Sequence, residues 1–281
     1  MIVDAHAHII PIAHDRGNKF INHYPVESFL SEMDRTGVDK AVLLQGPFYG
    51  DFNTFVQAAV ADHPERFFGA AYLDPWDQTR PEIELFLETP EFCALKIEFS
   101  VGTGLCKLHP DALLDDPAIR WLWKLIEKSG KVLVLDLGSA DLRSYQTSAV
   151  RDIAENQPEL KIIIAHLAQP KPEIIADPVL LSRWEEQIDL GKLPNVWFDC
   201  AAIPAFLPNE EFPYPTMEQY LHRAFDRIGS DKVMWGTDIP GLFNSADYPQ
   251  LLSMGSLHSR ILGGKDQENF LSGTALKIFG S

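Results

Sequence analysis

The sequence predicts a single domain over residues 1–281, folded as a (β/α)8 TIM barrel with an extra C-terminal helix. The length of 281 residues suits one α/β barrel. Eight short apolar runs recur along the chain, and helical patterns separate them. Continuous apolar character is typical of parallel strands that are buried on both faces. Strand followed by helix, eight times over, favours the barrel, with a doubly wound open sheet as the alternative.

The predicted strands are MIVDAH (1–6), KAVLLQ (40–45), FFGAAYL (67–73), CALKIEF (93–99), KVLVLDL (131–137), KIIIAHL (161–167), NVWFDC (195–200) and KVMWGTD (232–238). One predicted helix has apolar residues at helical spacing, namely Val26, Phe29, Leu30 and Met33. A second has the same pattern between Ile119 and Ile126. Gly37 and Gly130 end these helices. The stretch QENFLSGTALKIFG (267–280) predicts an additional helix that packs on the outside.

Composition limits the class of protein and its setting. The formal net charge of -16 argues against a nucleic-acid partner, but local arginines could still bind an anionic small substrate. No apolar run reaches the roughly 18 residues of a membrane span, and we see no secretory signal. Three widely spaced cysteines do not suggest a disulfide framework. We therefore expect a cytoplasmic protein with a small-molecule partner and without nucleic acid or membrane, and homo-oligomerisation stays open.

Polar side chains concentrate at the predicted strand ends, where a TIM barrel carries its active site. They are His6, His8, Lys96, Glu98, Asp136, His166, Asp199 and Asp238. Alternation along strand 1 puts His6 and His8 on one face, about 7 Å apart at the backbone, so both imidazoles can reach one ion. Neutral imidazole and carboxylate together suit zinc, iron, manganese or cobalt better than calcium.

Each of these residues also has a purely structural interpretation. A lone histidine at a strand end is more often a hydrogen-bonded structural residue, and Asp4 and Asp199 are expected to brace loops. Cys200 is expected in the core, and Lys96 could be the buried partner of a carboxylate. The convergence of His-x-His, His and Asp on strands 1, 6 and 8 nevertheless favours a metal site, because a structural explanation must account for each residue separately.

Four motifs carry a family resemblance: IVDAHAH, IIIAHLAQP, VMWGTD and the tail ILGGKDQENFLSGTALKIFG. In this order, from residue 2 to residue 280, they are similar to the amidohydrolase superfamily, and more narrowly to its amidohydrolase-related branch. That branch holds aminocarboxymuconate-semialdehyde decarboxylase, resorcylate decarboxylases and lactone hydrolases such as pyrone-dicarboxylate lactonase. The resemblance implies an enzyme with one divalent metal ion, zinc first, with manganese, iron or cobalt as alternatives.

The resemblance also implies roles for single residues. His6 and His8 would hold the metal ion from strand 1. Asp238 would bind the metal ion or its water and move a proton. His166 would lie beside the metal and activate water or polarise a substrate oxygen.

The chain departs from the family pattern at strand 5. Decarboxylase members usually have a metal-binding histidine there, whereas this chain has Asp136. We expect Asp136 to be a metal ligand, with Lys96 or a protonated His166 as its alternative partner. Lys96 or Glu98 could also be the strand-4 bridging ligand of other superfamily branches, although a mononuclear site is simpler. Some lactonase members work without a tightly held metal, so a weak or absent site also stays open.

The substrate pocket has to be predicted from loops. The loop GSADLRSYQTS (138–148) offers Arg143 for bidentate carboxylate binding, and Tyr145 and Gln146 for further hydrogen bonds. Arg143 could instead pair with surface acids. We also expect Lys96 and Glu98 to face the substrate.

Two further loops are candidates for the mouth of the pocket. The loop after strand 1 contributes His14, Asp15, Arg16 and His23. The segment 201–215, rich in proline and aromatic residues, is a candidate lid or subunit contact. Trp235 is expected in the barrel core.

Three functions from different classes follow. The leading hypothesis is a metal-dependent hydrolase of a small carboxylate-bearing lactone or cyclic ester, acting by metal-activated water. The alternative is a non-oxidative decarboxylase of an aromatic or muconate-like acid. The third is a non-catalytic barrel that binds a small acid.

Overall fold

The computed structural model describes residues 1–13, 21–47 and 52–280. Eight parallel strands form one sheet, in the order in which they occur along the chain. They are β1 (Val3–Ala7), β2 (Lys40–Leu43), β3 (Phe67–Tyr72), β4 (Phe92–Glu98), β5 (Val132–Asp136), β6 (Ile162–Ile164), β7 (Val196–Asp199) and β8 (Val233–Met234). All eight predicted strands are present, and the TIM barrel is confirmed.

Twelve α-helices are found in the described chain. They are α1 (Val26–Thr36), α2 (Asn53–Asp62), α3 (Arg80–Glu88), α4 (Leu105–Leu108), α5 (Arg120–Ser129), α6 (Thr147–Asn156), α7 (Pro172–Ala176), α8 (Pro178–Ile188), α9 (Pro215–Ile228), α10 (Tyr248–His258), α11 (Gly264–Glu268) and α12 (Thr274–Phe279). Gly37 and Gly130 lie in the left-handed conformation after α1 and α5, as predicted. Across the described ranges, no helix is both long and apolar enough to span a bilayer.

Contacts between the first and last strands close the sheet. The amide of Ala5 donates to the carbonyl of Trp235 at 3.0 Å. Beyond it, Ala7 forms a parallel bridge with Ile239, and the amide of His8 donates to the carbonyl of Ile239 at 2.8 Å. This pairing distinguishes the barrel from the doubly wound open sheet that the sequence left as an alternative.

A β-bulge in β1 determines which of its side chains face the barrel interior. Val3 and Ala5 belong to the apolar cluster at the amino-terminal end of the interior. The register against β2 then shifts by one residue between Asp4 and Ala7. Beyond the shift, His6 and His8 point inward. Bulges commonly re-aim side chains next to active sites, and this one places both imidazoles above the apolar layer.

The C-terminal helix covers one end of the barrel. α11, a π-helical turn at Asn269–Gly273 and α12 follow one another without a break. Ala275, Ile278 and Phe279 are at most 3% exposed, and they pack on the interior residues of the strands. The predicted additional helix is therefore present, and it packs over the amino-terminal end of the barrel.

Two of the strands end before a predicted site residue. β6 ends at Ile164 and β8 at Met234, so His166 and Asp238 lie in the loops that follow. Both residues have positive φ, 59° and 64°, which an extended strand cannot accommodate. Trp235 and Cys200 are each 1% exposed and belong to the core, as predicted. The three cysteines, all within the described ranges, are unpaired thiols.

Asn195 connects the start of β7 to the end of α6. Its side-chain amide donates to the carbonyls of Ala154, Gln157 and Leu160 at 3.0 to 3.1 Å, and the residue is 6% exposed. Asn195→Ala should lower stability by about 1–3 kcal/mol, since buried carbonyls lose their donor. Thermal unfolding measures the loss. Asn156→Ala, which removes an exposed amide bonded to Asp152, is the control and should change stability by less than about 0.5 kcal/mol.

Candidate active site

A cavity of about 270 Å³ opens at the carboxyl end of the barrel. Six of the predicted site residues lie on its wall: His8, Lys96, Glu98, Asp136, His166 and Asp238. His6 lies beside them and is 0% exposed. The other described lining residues are Gly46, Thr103, Gln169, Ala202, Ala205, Phe206, Gly241 and Leu242. The tertiary structure therefore brings the strand-end residues together as predicted.

The hydrogen bonds of the two imidazoles determine which nitrogen faces the centre. Nδ1 of His6 lies 2.9 Å from Asp199, and Nδ1 of His8 lies 2.6 Å from the carbonyl of Leu44. Carboxylate and carbonyl oxygens only accept here, so each Nδ1 carries the hydrogen, which leaves a lone pair on each Nε2. Burial lowers the pKa of both histidines, well below the usual value for His6, so both imidazoles are neutral.

These lone pairs converge on Asp238. Nε2 of His8 lies 2.9 Å from Oδ1 of Asp238, and Nε2 of His6 lies 3.8 Å from the same oxygen. Ligand atoms of the three residues all lie within 4.8 Å of one another. A neutral imidazole nitrogen and a carboxylate oxygen repel each other unless a proton or a metal ion lies between them. The residues therefore fit a divalent ion, with outer partners of the kind that orient metal-binding histidines.

Lys96 supplies a buried positive charge beside this group. Its Nζ lies 3.2 Å from Nε2 of His6 and 3.2 Å from Oε2 of Glu98, and the residue is 2% exposed. Burial alone would lower the pKa of Lys96, but the carboxylates of Glu98 and Asp136 outweigh it, and the pKa is raised. Burial, with the charge of Asp136, raises the pKa of Glu98 to about 7. Lys96 therefore stays an ammonium at neutral pH.

His166 and Asp136 form an ion pair on the wall of the cavity. Nε2 of His166 lies 3.1 Å from Oδ2 of Asp136. Oδ1 of Asp136 accepts hydrogen bonds from the amide of Gly138 at 2.9 Å and from Nε2 of Gln169 at 3.0 Å. Burial acts against both charges, but mutual attraction outweighs it, lowering the pKa of Asp136 and raising that of His166 to about 9.

Asp136 was predicted to be a metal ligand, and its ion pair with His166 has to be compared with that prediction. The described chain offers two clusters of metal-ligand atoms, His6 with His8 and Asp238, and His6 with His166 and Asp199. Asp136 belongs to neither of them. Of the three partners considered for Asp136, the structure places it against His166.

His166 begins a left-handed turn. His166, Leu167, Ala168 and Gln169 have φ of 59°, 50°, 56° and 51°, and none of them is glycine. A left-handed helical conformation costs L-residues about 1–2 kcal/mol each, so surrounding contacts must hold the turn. The turn directs the His166 ring towards Asp136 and carries Gln169 to the same carboxylate.

Asp199 connects the two histidines. Its Oδ1 accepts hydrogen bonds from the amides of His166 and Ala201 at 3.0 and 3.1 Å, while Oδ2 faces Nδ1 of His6. The predicted bracing role is thus present, but the contact with His6 was missed. Nothing in the sequence around Asp199 indicated that contact, because only closure of the barrel brings β1 and β7 to the two sides of β8.

Asp4 braces the closure of the barrel, as predicted. It accepts hydrogen bonds from the amide and hydroxyl of Thr237 at 3.0 and 2.6 Å, and from the hydroxyl of Tyr248 at 3.1 Å. Gly236, next to Thr237, passes so close to β1 that a Cβ would lie 3.1 Å from the backbone nitrogen of His6. These contacts fix the loop that carries Asp238.

The loop residues predicted to bind substrate have other partners. Arg143 is exposed and donates to the carbonyls of Cys106 and Pro110. Tyr145 is buried, and its hydroxyl donates to the carbonyl of Ala168 at 3.4 Å. Gln146 bonds the backbone of Leu114 and Ala112. None of the three belongs to the described residues that line the cavity.

The other predicted mouth residues have mixed outcomes. His14, Asp15 and Arg16 lie outside the described residues, and His23 is not part of the described cavity lining. In segment 201–215, Ala202, Ala205 and Phe206 do line the cavity.

Several lining residues were missed from the sequence. Gln169 follows His166 closely in HLAQ, and that proximity could have identified it. Thr103 and Leu242 carry no such signal, because small polar and apolar residues in loops are common.

The fold and this group of residues define an enzyme of the amidohydrolase superfamily. The family model described as Amidohydrolase matches residues 3–281, so the chain belongs to that family. The match agrees with the predicted superfamily and its amidohydrolase-related branch. No curated protein matches the sequence significantly.

Solved structures share the fold at low sequence identity. An amidohydrolase from Burkholderia multivorans with bound zinc is 15% identical, with 100% of this chain and 99% of that chain covered and a TM-score of 0.77. A protein from Acinetobacter baumannii, described as a probable 2-pyrone-4,6-dicarboxylic acid hydrolase with bound citric acid, is 17% identical, with 100% and 99% covered and a TM-score of 0.74. The 5-carboxyvanillate decarboxylase of Sphingomonas paucimobilis is 16% identical, with 99% and 98% covered and a TM-score of 0.64.

We expect the wild type to bind one zinc ion per chain. Asp199→Asn should raise the zinc Kd about 10- to 100-fold above that of the wild type. The amides of His166 and Ala201 would hold the new carbonyl oxygen, so the new amide nitrogen would face His6. Nδ1 of His6 must then accept, and Nε2 carries the hydrogen and cannot bind metal. Competition with a chelating dye measures the zinc Kd.

Asp34→Asn is the control for this experiment, since Asp34 is exposed and pairs with Arg66. Its zinc Kd should equal that of the wild type. An unchanged zinc Kd in Asp199→Asn would contradict the assigned tautomer of His6.

Proposed function

We propose that this protein hydrolyses a small lactone or cyclic ester with the help of one divalent metal ion. The observation that supports this proposal is the placement of two unlike proton carriers on one cavity. Asp238 lies against the neutral imidazoles of His6 and His8, whereas His166 lies against Asp136 and is held protonated. Ester hydrolysis needs a base for the attacking water and an acid for the leaving oxygen, and two such groups are present.

The roles of the residues follow from their partners. His6, His8 and Asp238 would hold the ion, which when bound supplies polarisation of the ester carbonyl and a lower pKa for water. Burial would raise the pKa of Asp238, but the positive charge of His166 and the contacts with His8 and His6 outweigh it, and the pKa is lowered. Asp238 is therefore an ionised carboxylate. Asp238 accepts the proton of the attacking water.

His166 supplies the proton for the leaving oxygen. Nε2 of His166 is engaged by Asp136, and Nδ1 is buried without a hydrogen-bond partner among the described residues. Nδ1 also lies 3.9 Å from Oδ1 of Asp199, and the charges of Asp136 and Asp199 stabilise the imidazolium before it gives up its proton. Opening of the ring produces a hydroxy acid, and the reaction consumes one water molecule.

The charge of the cavity limits the substrate. Among the described lining residues, the cations Lys96 and His166 face the carboxylates of Glu98, Asp136 and Asp238. When all are ionised, one net negative charge remains, and a divalent ion changes the balance to one net positive charge. We therefore propose a lactone with at most one carboxylate, since a second would be buried without a counter-charge.

Non-oxidative decarboxylation is the second candidate. A protonated His166 beside the metal ligands could also deliver a proton to a ring carbon as carbon dioxide leaves. Proton release and carbon dioxide release separate the two reactions, because lactone hydrolysis produces no gas.

His166→Asn should reduce turnover of a lactone substrate by about 100-fold or more, because the variant lacks the acid. Its metal content should stay near that of the wild type, whereas Asp238→Asn should lose both metal and activity. Metal analysis and pH-stat titration measure the two quantities. Loss of metal from His166→Asn would instead identify His166 as a ligand. Carbon dioxide release without lactone opening would replace the hydrolase proposal with the decarboxylase.

A matched series of lactones tests the charge argument. For lactones of equal ring size, we expect kcat/KM for a monocarboxylate to exceed that for the dicarboxylate by about 10-fold or more, the effect of one unpaired buried charge. The neutral lactone is the reference for both. A preference for the dicarboxylate would contradict the charge argument.

A further inference from the structure

None of the four residues from His166 to Gln169 favours the left-handed conformation that this turn adopts. Four consecutive L-residues lie at φ between 50° and 59°, a conformation that usually occurs at single residues. Strained backbone of this kind persists only where neighbouring groups over-determine it. The contacts that hold the turn are therefore part of the catalytic geometry.

Hydrogen-bond donors from two other elements reach the carbonyls of this turn. The indole Nε1 of Trp184, on α8, donates to the carbonyl of Leu167 at 3.0 Å. The hydroxyl of Tyr145, just before α6, donates to the carbonyl of Ala168 at 3.4 Å. Trp184 is 0% exposed and Tyr145 is 4% exposed, and neither is among the described residues that line the cavity. Both therefore contact the backbone of the turn and not the reacting groups.

The two ends of the turn hold one carboxylate. Nε2 of His166, at the first residue, faces Oδ2 of Asp136, and Nε2 of Gln169, at the last residue, donates to Oδ1. A displacement of the carbonyls in the middle of the turn moves both contacts together. The geometry of His166 thus depends on donors that lie behind it.

We propose that Trp184 and Tyr145 are positioning residues, which hold the left-handed turn and thereby place His166 and Gln169 on Asp136. Trp184 contributes more, because its hydrogen bond is shorter and its indole is fully buried. The kinetic consequence rests on the proposed function, whereas the effect on the His166 ring does not.

Trp123 provides a matched control. It is 2% exposed, and its indole Nε1 donates to the carbonyl of Leu114 at 3.2 Å. Tryptophan to phenylalanine at either position removes one indole hydrogen bond from a buried site. Only the bond of Trp184 ends on the turn.

The structural test compares Trp184→Phe with Trp123→Phe in protein labelled with 15N-histidine. His166→Asn assigns the ring signals of His166 among the nine histidines. We expect Trp184→Phe to shift the ring signals of His166 and Trp123→Phe to leave them in place. Unmoved His166 signals in a folded Trp184→Phe protein would overturn the proposal. If Trp184→Phe does not fold, Tyr145→Phe decides by the same criterion, with a smaller expected shift.

The kinetic test is a double-mutant cycle on lactone turnover. Trp184→Phe should lower kcat about 10-fold, the scale of a sub-ångström misplacement, and leave KM within about twofold. In the His166→Asn background it should change kcat by less than about twofold, because the group that it positions is gone. Equal losses in both backgrounds would show a purely structural role and overturn the proposal. If the wild type opens no lactone, the proposed function fails and the histidine spectra alone decide this inference.

Discussion

The outward hydrogen bonds of His6 and His8 are the constraint on which the rest of the site depends. Asp199 and the carbonyl of Leu44 take the Nδ1 hydrogens, and only then can both Nε2 lone pairs face Asp238. If either tautomer were reversed, an N–H would point at the centre and a cation could not bind there. The ability of this group to hold a cation thus depends on a carboxylate and a carbonyl that lie outside the described cavity lining.

Because the site is buried, each polar group in it needs a specific partner. The groups at the centre are neutral imidazoles, an ammonium, an imidazolium and several carboxylates, nearly all shielded from water. A buried polar group without a partner is costly, so each charge is matched to a specific neighbour: Lys96 to Glu98 and His166 to Asp136. Under the proposed function, this matching limits how much further negative charge a substrate can bring into the cavity.

Backbone conformations that a strand cannot adopt place the proton carriers. Asp238 and the turn that begins at His166 have positive φ, and both lie just beyond short strands. Neighbouring groups offset the strain of the turn, through Asp199 at its first amide and through Trp184 and Tyr145 at its carbonyls. The rigid barrel therefore fixes His6 and Lys96 directly, whereas His166 is fixed by contacts between loops and helices.

The sequence by itself determined the eight strands and favoured the barrel, because apolar periodicity is a local property. It also identified the polar residues at the strand ends, which are His6, His8, Lys96, Glu98, Asp136, His166 and Asp238. Only the tertiary structure decided the partners. Asp136 pairs with His166, Arg143 bonds backbone carbonyls, and the last helix closes the barrel end. These outcomes depend on distances between residues far apart in the chain and on a left-handed turn without glycine, which no local propensity indicates.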